Sequence, residues 1–282
     1  MPQRLIFGLA SVLALLALYT VAATAYGRPG VLPPTTALAT TFASLVTGRA
    51  PAAGAGHPHP ADHLGFLLHE QATLPGALAV STGRVLFGVG VGGALGVLLG
   101  FAMGWRPALD AYLHPVYVLV RSIPPLALIT YLMLWLGHGE AHLLVPVVYA
   151  VLTTVVIPTY HGTRDVADVY VRAARALGAG PGLLLSRVVL PAVSPAMLSG
   201  LRYAVVVAWM TTVGAEMLMA GDGVGRLVVG GGLWSSRHTV GVDPAVVIVA
   251  IVALATVGWL MDRAARAAAN RLTAWTRGRP RW

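Results

Sequence analysis

Few residues of this chain carry a charged or reactive side chain at a position that suggests a function. Glu216 lies within one long apolar stretch, and Arg121 precedes Pro124 and Pro125 within another. A charged side chain in such a stretch marks either a polar path or an ion pair with a neighbouring helix, and for Glu216 both interpretations stay open.

The two consecutive prolines remove two backbone donors and must interrupt or kink a helix. The carbonyl groups freed in this way need protein or water around them, which suits the lining of a polar path. The alternative is a kink that packs, with Arg121 extended to the membrane interface. Arg121, Pro124, Pro125 and Glu216 are therefore the candidates for a path through the apolar region.

Catalytic and metal-binding motifs are missing. The sequence contains no cysteine, which excludes disulfides, thiolate metal sites and cysteine nucleophiles. Neither H-E-x-x-H nor G-x-S-x-G occurs, and the Gly-Asp-Gly at 221–223 has no second acid placed for an intramembrane protease. His57, His59 and His63 form a loose cluster, for which weak metal binding and simple solvation by water are the two alternatives. We expect no catalytic residue and no metal site.

The composition indicates a membrane protein. Of the 282 residues, 57% are hydrophobic and 10% are charged, against about 25% charged in an ordinary soluble domain. All 19 basic residues are arginine, and they fall mainly between long uncharged runs. The formal charge of +9 therefore does not indicate nucleic-acid binding, which needs basic residues clustered on one exposed face. A soluble enzyme is excluded.

Six stretches are long and apolar enough to cross a bilayer, which takes about 20 residues. The sequence thus predicts an all-α membrane protein with about six transmembrane helices. The stretches are Leu5–Gly27, Val85–Trp105, a third from near Leu109 through Gly139, Ala141–Thr163, about Ala196–Ala220, and Pro244–Met261.

The second stretch carries a regular series of glycines. Small residues at four-residue spacing lie along one helix face and let another backbone approach closely. Chance is the alternative, since the chain has 33 glycines, but the regular series favours packing without saying whether the neighbour belongs to the same subunit. The members of the series are Gly88, Gly92, Gly96, Gly100 and Gly104.

These features divide the chain into four regions. Residues 1–27 are an N-terminal anchor, 28–76 an extracytoplasmic linker and interfacial segment, 77–262 a transmembrane core, and 263–282 a basic cytoplasmic tail. Arg28–His63 is rich in Pro, Gly, Ala and Thr and shows no helical period.

The outer segment Gly221–Gly232 is also expected to be a glycine-rich loop. It lacks the Gly-Lys-Ser/Thr ending of a phosphate-binding loop, so we expect no nucleotide site in this chain.

The largest cytoplasmic loop, residues 162–195, is too short for a domain and too patterned for a linker. Val171–Leu177 favours a short helix that Gly178 ends, and Pro181 permits a second start that Pro191 ends. Two short helices around a glycine suit docking into the groove of a partner protein. An interfacial helix on lipid headgroups is the alternative, because the arginines of the loop would favour that as well.

This loop resembles a motif of the inner-membrane permeases of ATP-binding-cassette (ABC) importers: E-A-A, three residues, G, nine residues, I-x-L-P. Arg172 replaces the Glu of that motif and Val188 the Ile. The resemblance implies that the loop, including Leu185, docks on an ATPase subunit; a charged contact at Arg172 would need an acidic residue on the partner. The corresponding positions here are Arg172, Ala173, Ala174, Gly178, Val188, Leu190 and Pro191.

The resemblance extends from about Ala77 to Arg271, and segments such as Arg121–Leu128 and Gly200–Ala204 look like the nitrate, sulfonate, taurine and bicarbonate branch. It implies a type I importer permease of the bacterial inner membrane that moves a small oxyanion. It also implies that the chain binds no cofactor itself, while ATP and Mg are bound by the partner ATPase.

The implied partners are a second permease subunit, chiefly a second copy of this chain, two ATP-binding subunits, an extracytoplasmic substrate-binding protein and membrane lipid, with no nucleic acid. By the same resemblance, Gly221–Gly232 lies near the outer gate; a flexible turn is the alternative. A secondary carrier or channel that works without an ATPase is the competing function, although such carriers usually show internal repeats and ion-pair relays at the membrane midplane.

The arginine distribution predicts that both termini lie in the cytoplasm, because cytoplasmic loops carry an excess of basic residues. With the N-terminus inside, thirteen arginines fall in cytoplasmic segments, five fall outside, and Arg121 lies within a span. Ala23-Thr24-Ala25 resembles a signal-peptidase site, but the long apolar stretch behind a single Arg4 favours a retained anchor. Reporter fusions at both ends and N-terminal sequencing check this prediction; a mature chain that begins at Tyr26 would contradict it.

Overall fold

The computed structural model describes residues 2–28, 31–48, 73–137, 139–166, 168–233, 235–236, 239–240 and 244–273. The chain divides into a first unit, Met1–Ala79 with Gly221–Ala255, and a second unit, Val80–Ala220 with Thr256–Trp282. Nearly all of the described residues are helical.

The elements, in chain order, are as follows. The N-terminal helices are α1 (Pro2–Tyr26), α2 (Thr35–Thr47) and α3 (Leu74–Trp105). Next come α4 (Pro107–Arg121), α5 (Pro125–Leu136), α6 (Glu140–Arg164) and α7 (Asp168–Ala176). A short α8 (Pro181–Leu184) and a π-helical turn (Leu185–Val189) lead into α9 (Leu190–Met219). The chain continues with α10 (Val224–Leu233), the paired two-residue strands β1 (Ser235–Ser236) and β2 (Thr239–Val240), and α11 (Pro244–Leu272).

Several of these helices are long and apolar enough to cross a membrane. Within the described residues they are α3, α6, the continuous stretch Pro181–Leu218, and α11, while α4 and α5 together form one further span bent by 89°. Five of the six expected crossings are thus accounted for. Helix α1 has 25 residues, but its described apolar part is only Leu13–Tyr26, so the first crossing stays a prediction.

Three sequence expectations about local structure are wrong. Residues 35–47, expected to lie in a linker without helical period, form α2, which Gly48 ends at a φ of 67°. The expected glycine-rich loop is confined to residues 221–223, because α10 begins at Val224. Burial explains both errors, since apolar residues of α2 and α10 pack into one core. That core of the first unit contains Leu45, Leu74, Ala77, Val224, Leu227, Val246, Val249 and Ala250.

Pro191 does not end a helix, which is the third error. It occupies the first turn of α9, where a missing N–H is tolerated. The π-helical turn before it absorbs the change in hydrogen-bond register, and the backbone N–H of Leu190 donates to the carbonyl of Leu185. The chain therefore runs as one span from Pro181 to Leu218.

Helices α3 and α6 pack closely along the glycine series, so the neighbour is in the same subunit. A Cβ atom added at Gly92 would lie 2.5 Å from the carbonyl oxygen of Val148, and one at Gly100 would lie 2.5 Å from that of Val156. Gly88, Gly96 and Gly104 meet α6 in the same way. Only glycine permits backbones to approach this closely.

Small residues also join α6 to α9. A Cβ at Gly162 would lie 2.4 Å from the Cβ of Ala196, and one at Gly200 would lie 2.5 Å from Pro158. Helix α6 is consequently the central helix of the second unit, with α3 on one side and α9 on another.

Gly100→Ala should destabilise the second unit by about 1–3 kcal/mol, because its Cβ would collide with a backbone oxygen that cannot move aside. Gly90→Ala is the matched control: it lies in the same helix, and its Cβ would meet nothing within 4 Å. The control should be neutral or gain up to about 1 kcal/mol from helix propensity. Unfolding of the two variants in detergent by SDS titration measures the difference, and equal stabilities would contradict the packing role.

Candidate functional site

The loop between α6 and α9 forms an elbow at Gly178. This residue has a φ of 81°, in the left-handed region that glycine adopts without strain. The N–H of Ala179 donates to the carbonyl of Ala174 at 3.0 Å, and the N–H of Gly178 to that of Arg175 at 3.0 Å. This pair of bonds is a Schellman motif, which satisfies the last carbonyls of α7. Helix α8 then starts at Pro181, as the sequence predicts.

The elbow divides the residues of the loop between an inner and an outer face. Leu184, Val189 and Val193 form a buried cluster against which Ala174, Leu185 and Val188 pack, together with Phe101 and Trp105 of α3. Arg172 and Ala173 are exposed, as is Leu190, whereas Pro191 is half-buried. The docking surface expected at Ala173, Ala174 and Leu185 is therefore divided, since two of its members support the loop from inside.

Sequence reasoning missed the large apolar side chains that the loop exposes. Leu177 is 88% exposed and Leu183 is 55% exposed, one on each side of the elbow. Leu177 lies four residues after the exposed Ala173, so the helical period could have identified it. A cleft of about 600 Å³ lies beside them, lined by Trp105, Arg175, Ala179, Pro181, Gly182, Leu184 and Leu185.

The prolines Pro124 and Pro125 lie where α4 and α5 meet at their 89° bend. Tyr149 of α6 satisfies carbonyl groups at this break: its hydroxyl donates to the carbonyl of Ile123 at 3.0 Å and also bonds that of Val120. Arg121 is exposed as the last residue of α4. The break is thus a packed and satisfied bend, which leaves a role of these residues in a path as a hypothesis.

Glu216 is part of a buried charge cluster that joins α3, α6 and α9. Its carboxylate accepts a hydrogen bond from Nη1 of Arg84 at 2.9 Å, and the hydroxyl of Ser81 lies 2.8 and 2.9 Å from its two oxygens. The other edge of the Arg84 guanidinium holds Glu140, with Nε to Oε2 at 2.9 Å and Nη2 to Oε1 at 2.6 Å. The ion-pair alternative for Glu216 is thus present in the structure.

Exposure within this charge cluster is uneven. The side chains of Arg84 and Glu216 are 5% and 0% exposed, whereas that of Glu140 is 60% exposed. Sequence reasoning missed Ser81, Arg84 and Glu140. A signal for Arg84 was present, because it precedes Gly88 by four residues and so extends the glycine series on the face toward α6.

The second unit has further ion pairs at its other end. Arg164 of α6 donates to Asp110 of α4 at 2.9 Å, and the hydroxyl of Tyr160 donates to the same carboxylate at 3.0 Å. Asp262 of α11 accepts from Nε of Arg202 at 3.0 Å and also pairs with Arg266. His57, His59 and His63 lie outside the described residues.

These features define a class: a multi-pass helical membrane protein with a structured loop between two of its spans. The chain belongs to the family described as binding-protein-dependent transport system inner membrane component, which matches residues 92–274. It is therefore the permease component of an ABC importer, located in the inner membrane.

Relatives agree with this assignment, and a solved structure matches the fold. The chain is 33% identical to the taurine transport system permease protein TauC of Escherichia coli over 205 residues, which cover 73% of this chain and 72% of TauC. It is 34% identical over 210 residues to a probable ABC transporter permease protein of Brucella melitensis, covering 74% and 82% of the two chains. A structure of the inward-facing MetNI methionine ABC transporter matches with a TM-score of 0.55 at 19% identity, covering 70% of this chain and 93% of that chain. The last match supports the fold alone.

Glu216→Gln should destabilise the protein by about 3 kcal/mol, because it removes one partner of a buried arginine. This loss of stability lies at the low end of the range for breaking a buried ion pair, because Arg84 keeps its ion pair with Glu140. Asp262→Asn, at a more exposed ion pair, is the control and should cost less than about 1 kcal/mol. Unfolding in detergent compares the two variants, and equal losses would show that the buried cluster does not stabilise the second unit.

Proposed function

We propose that this permease imports a small oxyanion, delivered by an extracytoplasmic substrate-binding protein, at the expense of ATP hydrolysed by separate subunits. The observation that supports the coupling to ATP hydrolysis is the fixed elbow at Gly178 with exposed apolar side chains on either side. No nucleotide-binding motif occurs in the sequence, so ATP and Mg²⁺ are assigned to the partner.

The docking surface that we propose consists of Ala173, Leu177 and Leu183, with Arg172 at its edge. Exposed apolar residues of a short helix are suited to a groove on a partner protein. Ala174, Leu185 and Val188 are not part of this surface. They pack on the buried side of the loop and hold the elbow against the core of the second unit. Arg172 lies on the exposed side, where we propose that it meets an acidic residue of the ATPase.

The working assembly that we propose contains two copies of this chain and two ATPase subunits, with both termini in the cytoplasm. A single bundle offers little lining for a path, and a two-fold arrangement would use the same surface on both copies. ATP can drive transport only if its binding to the partner favours one conformation of the pair over the other. The mass of the purified complex tests the two-fold arrangement.

The nature of the cargo is proposed from the relatives. Their names include taurine, aliphatic sulfonates and bicarbonate. Taurine, sulfonates and bicarbonate share a planar or tetrahedral oxyanion group, and we propose that class for this permease.

Gly178→Leu should uncouple transport from ATP hydrolysis, because a Cβ penalises the left-handed conformation by roughly 1–2 kcal/mol and would displace Leu177 relative to Leu183. Gly178→Asn is the matched control, since asparagine tolerates this conformation and should retain most of the coupling. ATPase stimulation and uptake in proteoliposomes that contain the permease, its ATPase and its binding protein measure the effect. Normal coupled transport by Gly178→Leu, or uptake without any ATPase, would overturn the proposed function.

A further inference from the structure

The charge cluster of Ser81, Arg84, Glu140 and Glu216 lies at the end of the second unit opposite the Gly178 elbow. Helix α3 and helix α6 end, and α9 begins, beside the elbow, whereas Glu140 is the first residue of α6 and Glu216 lies in the last turn of α9. The cluster is therefore at the far side of the span from the proposed ATPase contact. That is where cargo from an extracytoplasmic binding protein would enter.

The two carboxylates that hold Arg84 are not equivalent. The Glu216 side chain is fully buried, also accepts a hydrogen bond from the Ser81 hydroxyl, and neutralises Arg84 on the side that faces the protein interior. Glu140 is 60% exposed and occupies the Nε–Nη2 edge through two parallel hydrogen bonds. This edge is the part of a guanidinium that binds carboxylate, phosphate and similar oxyanions with two bonds at once.

Glu140 is also placed where its carboxylate can leave Arg84 without unfolding a helix. It is the first residue of α6 and its side chain is 60% exposed, so rotation about its side-chain bonds carries the carboxylate from Arg84 into solvent. Removing Glu140 from the guanidinium exposes a charge that is already surrounded by protein on its other side. The exposed carboxylate returns to water, where its solvation is favourable.

Three buried polar atoms on α6 and α9 lack hydrogen-bond partners among the described residues; Oγ1 of Thr159 lies toward the elbow end of α6, and the other two lie at the end that carries the charge cluster. These two are Nε2 of His142, two residues after Glu140, and Oγ1 of Thr212, one turn before Glu216 on the same face of α9. The Nδ1 of His142 already accepts from the backbone N–H of Gly139 at 3.2 Å, so a neutral ring carries its proton on Nε2. Buried donors without partners are uncommon and indicate that a further polar group belongs nearby.

We propose that the Nε–Nη2 edge of Arg84 is a binding site for the oxyanion group of the cargo, and that Glu140 is a built-in competitor which the cargo displaces. The exchange replaces one anionic group by another, so the charge next to Arg84 does not change. A site that is never left as an empty buried cation avoids the cost of an unpaired charge during each transport cycle. This inference rests on the proposed function in that the cargo is taken to be an oxyanion.

The test is the affinity of the full-length permease in lipid nanodiscs for methanesulfonate and for bicarbonate, measured by titration calorimetry with chloride as a spherical control ion. Glu140→Gln removes the competing charge and should bind either oxyanion at least tenfold more tightly than the unmodified chain, with little gain for chloride. The matched control is Asp110→Asn, which removes a carboxylate from Arg164 at the other end of α6 and should leave the affinity within twofold.

A second pair of variants distinguishes a change in anion binding from a change in folding. Glu140→Asp keeps the charge on a shorter side chain and should give a smaller gain than Glu140→Gln. Adding Arg84→Lys to Glu140→Gln keeps the positive charge but removes the two-bond edge, and should cancel the gain. An unchanged or weaker oxyanion affinity in Glu140→Gln, or an equal gain in Asp110→Asn, would overturn the proposal and leave Glu140 as a structural partner only.

These measurements need neither ATPase nor binding protein. Suppose that Glu140→Gln binds the oxyanions more tightly, while Gly178→Leu transports normally or uptake occurs without any ATPase. That combination would refute the proposed ATP dependence and retain the anion site. Coupled transport with an unchanged Glu140→Gln affinity would refute the anion site and retain the proposed function.

Discussion

The close backbone approach of α3 and α6 is the constraint on which the rest of the second unit depends. Along the five glycines, α3 lies so near to α6 that added Cβ atoms would collide with carbonyl oxygens or β-branched side chains. This contact fixes the rotation and the depth of α3, and therefore the face on which Arg84 lies. Because Arg84 continues the same four-residue series, it is brought against the start of α6, where Glu140 holds it. The packing of small residues thus positions a buried charge of the second unit.

Polar groups in the apolar interior are satisfied by helices that are distant in sequence. Tyr149 of α6 bonds the carbonyls freed at the bend between α4 and α5, 26 residues or more along the chain. Arg84 and Glu216 are 132 residues apart and neutralise each other. Both solutions use α6 or a helix that packs on α6, so the central helix also organises the polar contacts. In a membrane, where water cannot satisfy such groups, these contacts are required for the bend and the charges to be tolerated.

The elbow and the charge cluster are joined by one continuous helical stretch. Pro181–Leu218 passes from the exposed side of the elbow, through the π-helical turn, to the turn of α9 that carries Glu216. At a rise of about 1.5 Å per residue, this stretch is long enough to reach from one side of a membrane to the other. The buried contacts of Val189 and Val193 keep the loop end of this stretch attached to α3.

The sequence alone determined the class of fold, the family and the position of the elbow. Apolar runs, arginine placement and the glycine spacing are local properties, and Gly178 and Pro181 act on their own backbones, so each was readable without a partner in space. The helices α2 and α10 were not readable, because α2 is rich in threonine and α10 in valine and glycine, which are weak helix formers, and both helices depend on packing into a shared core. The exposed face of the loop, the pairing of Arg84 with two carboxylates and the hydroxyl of Tyr149 at the bend were decided only by the tertiary structure. Each of them joins residues from separate helices, and a single sequence records the side chains but not which helix faces which.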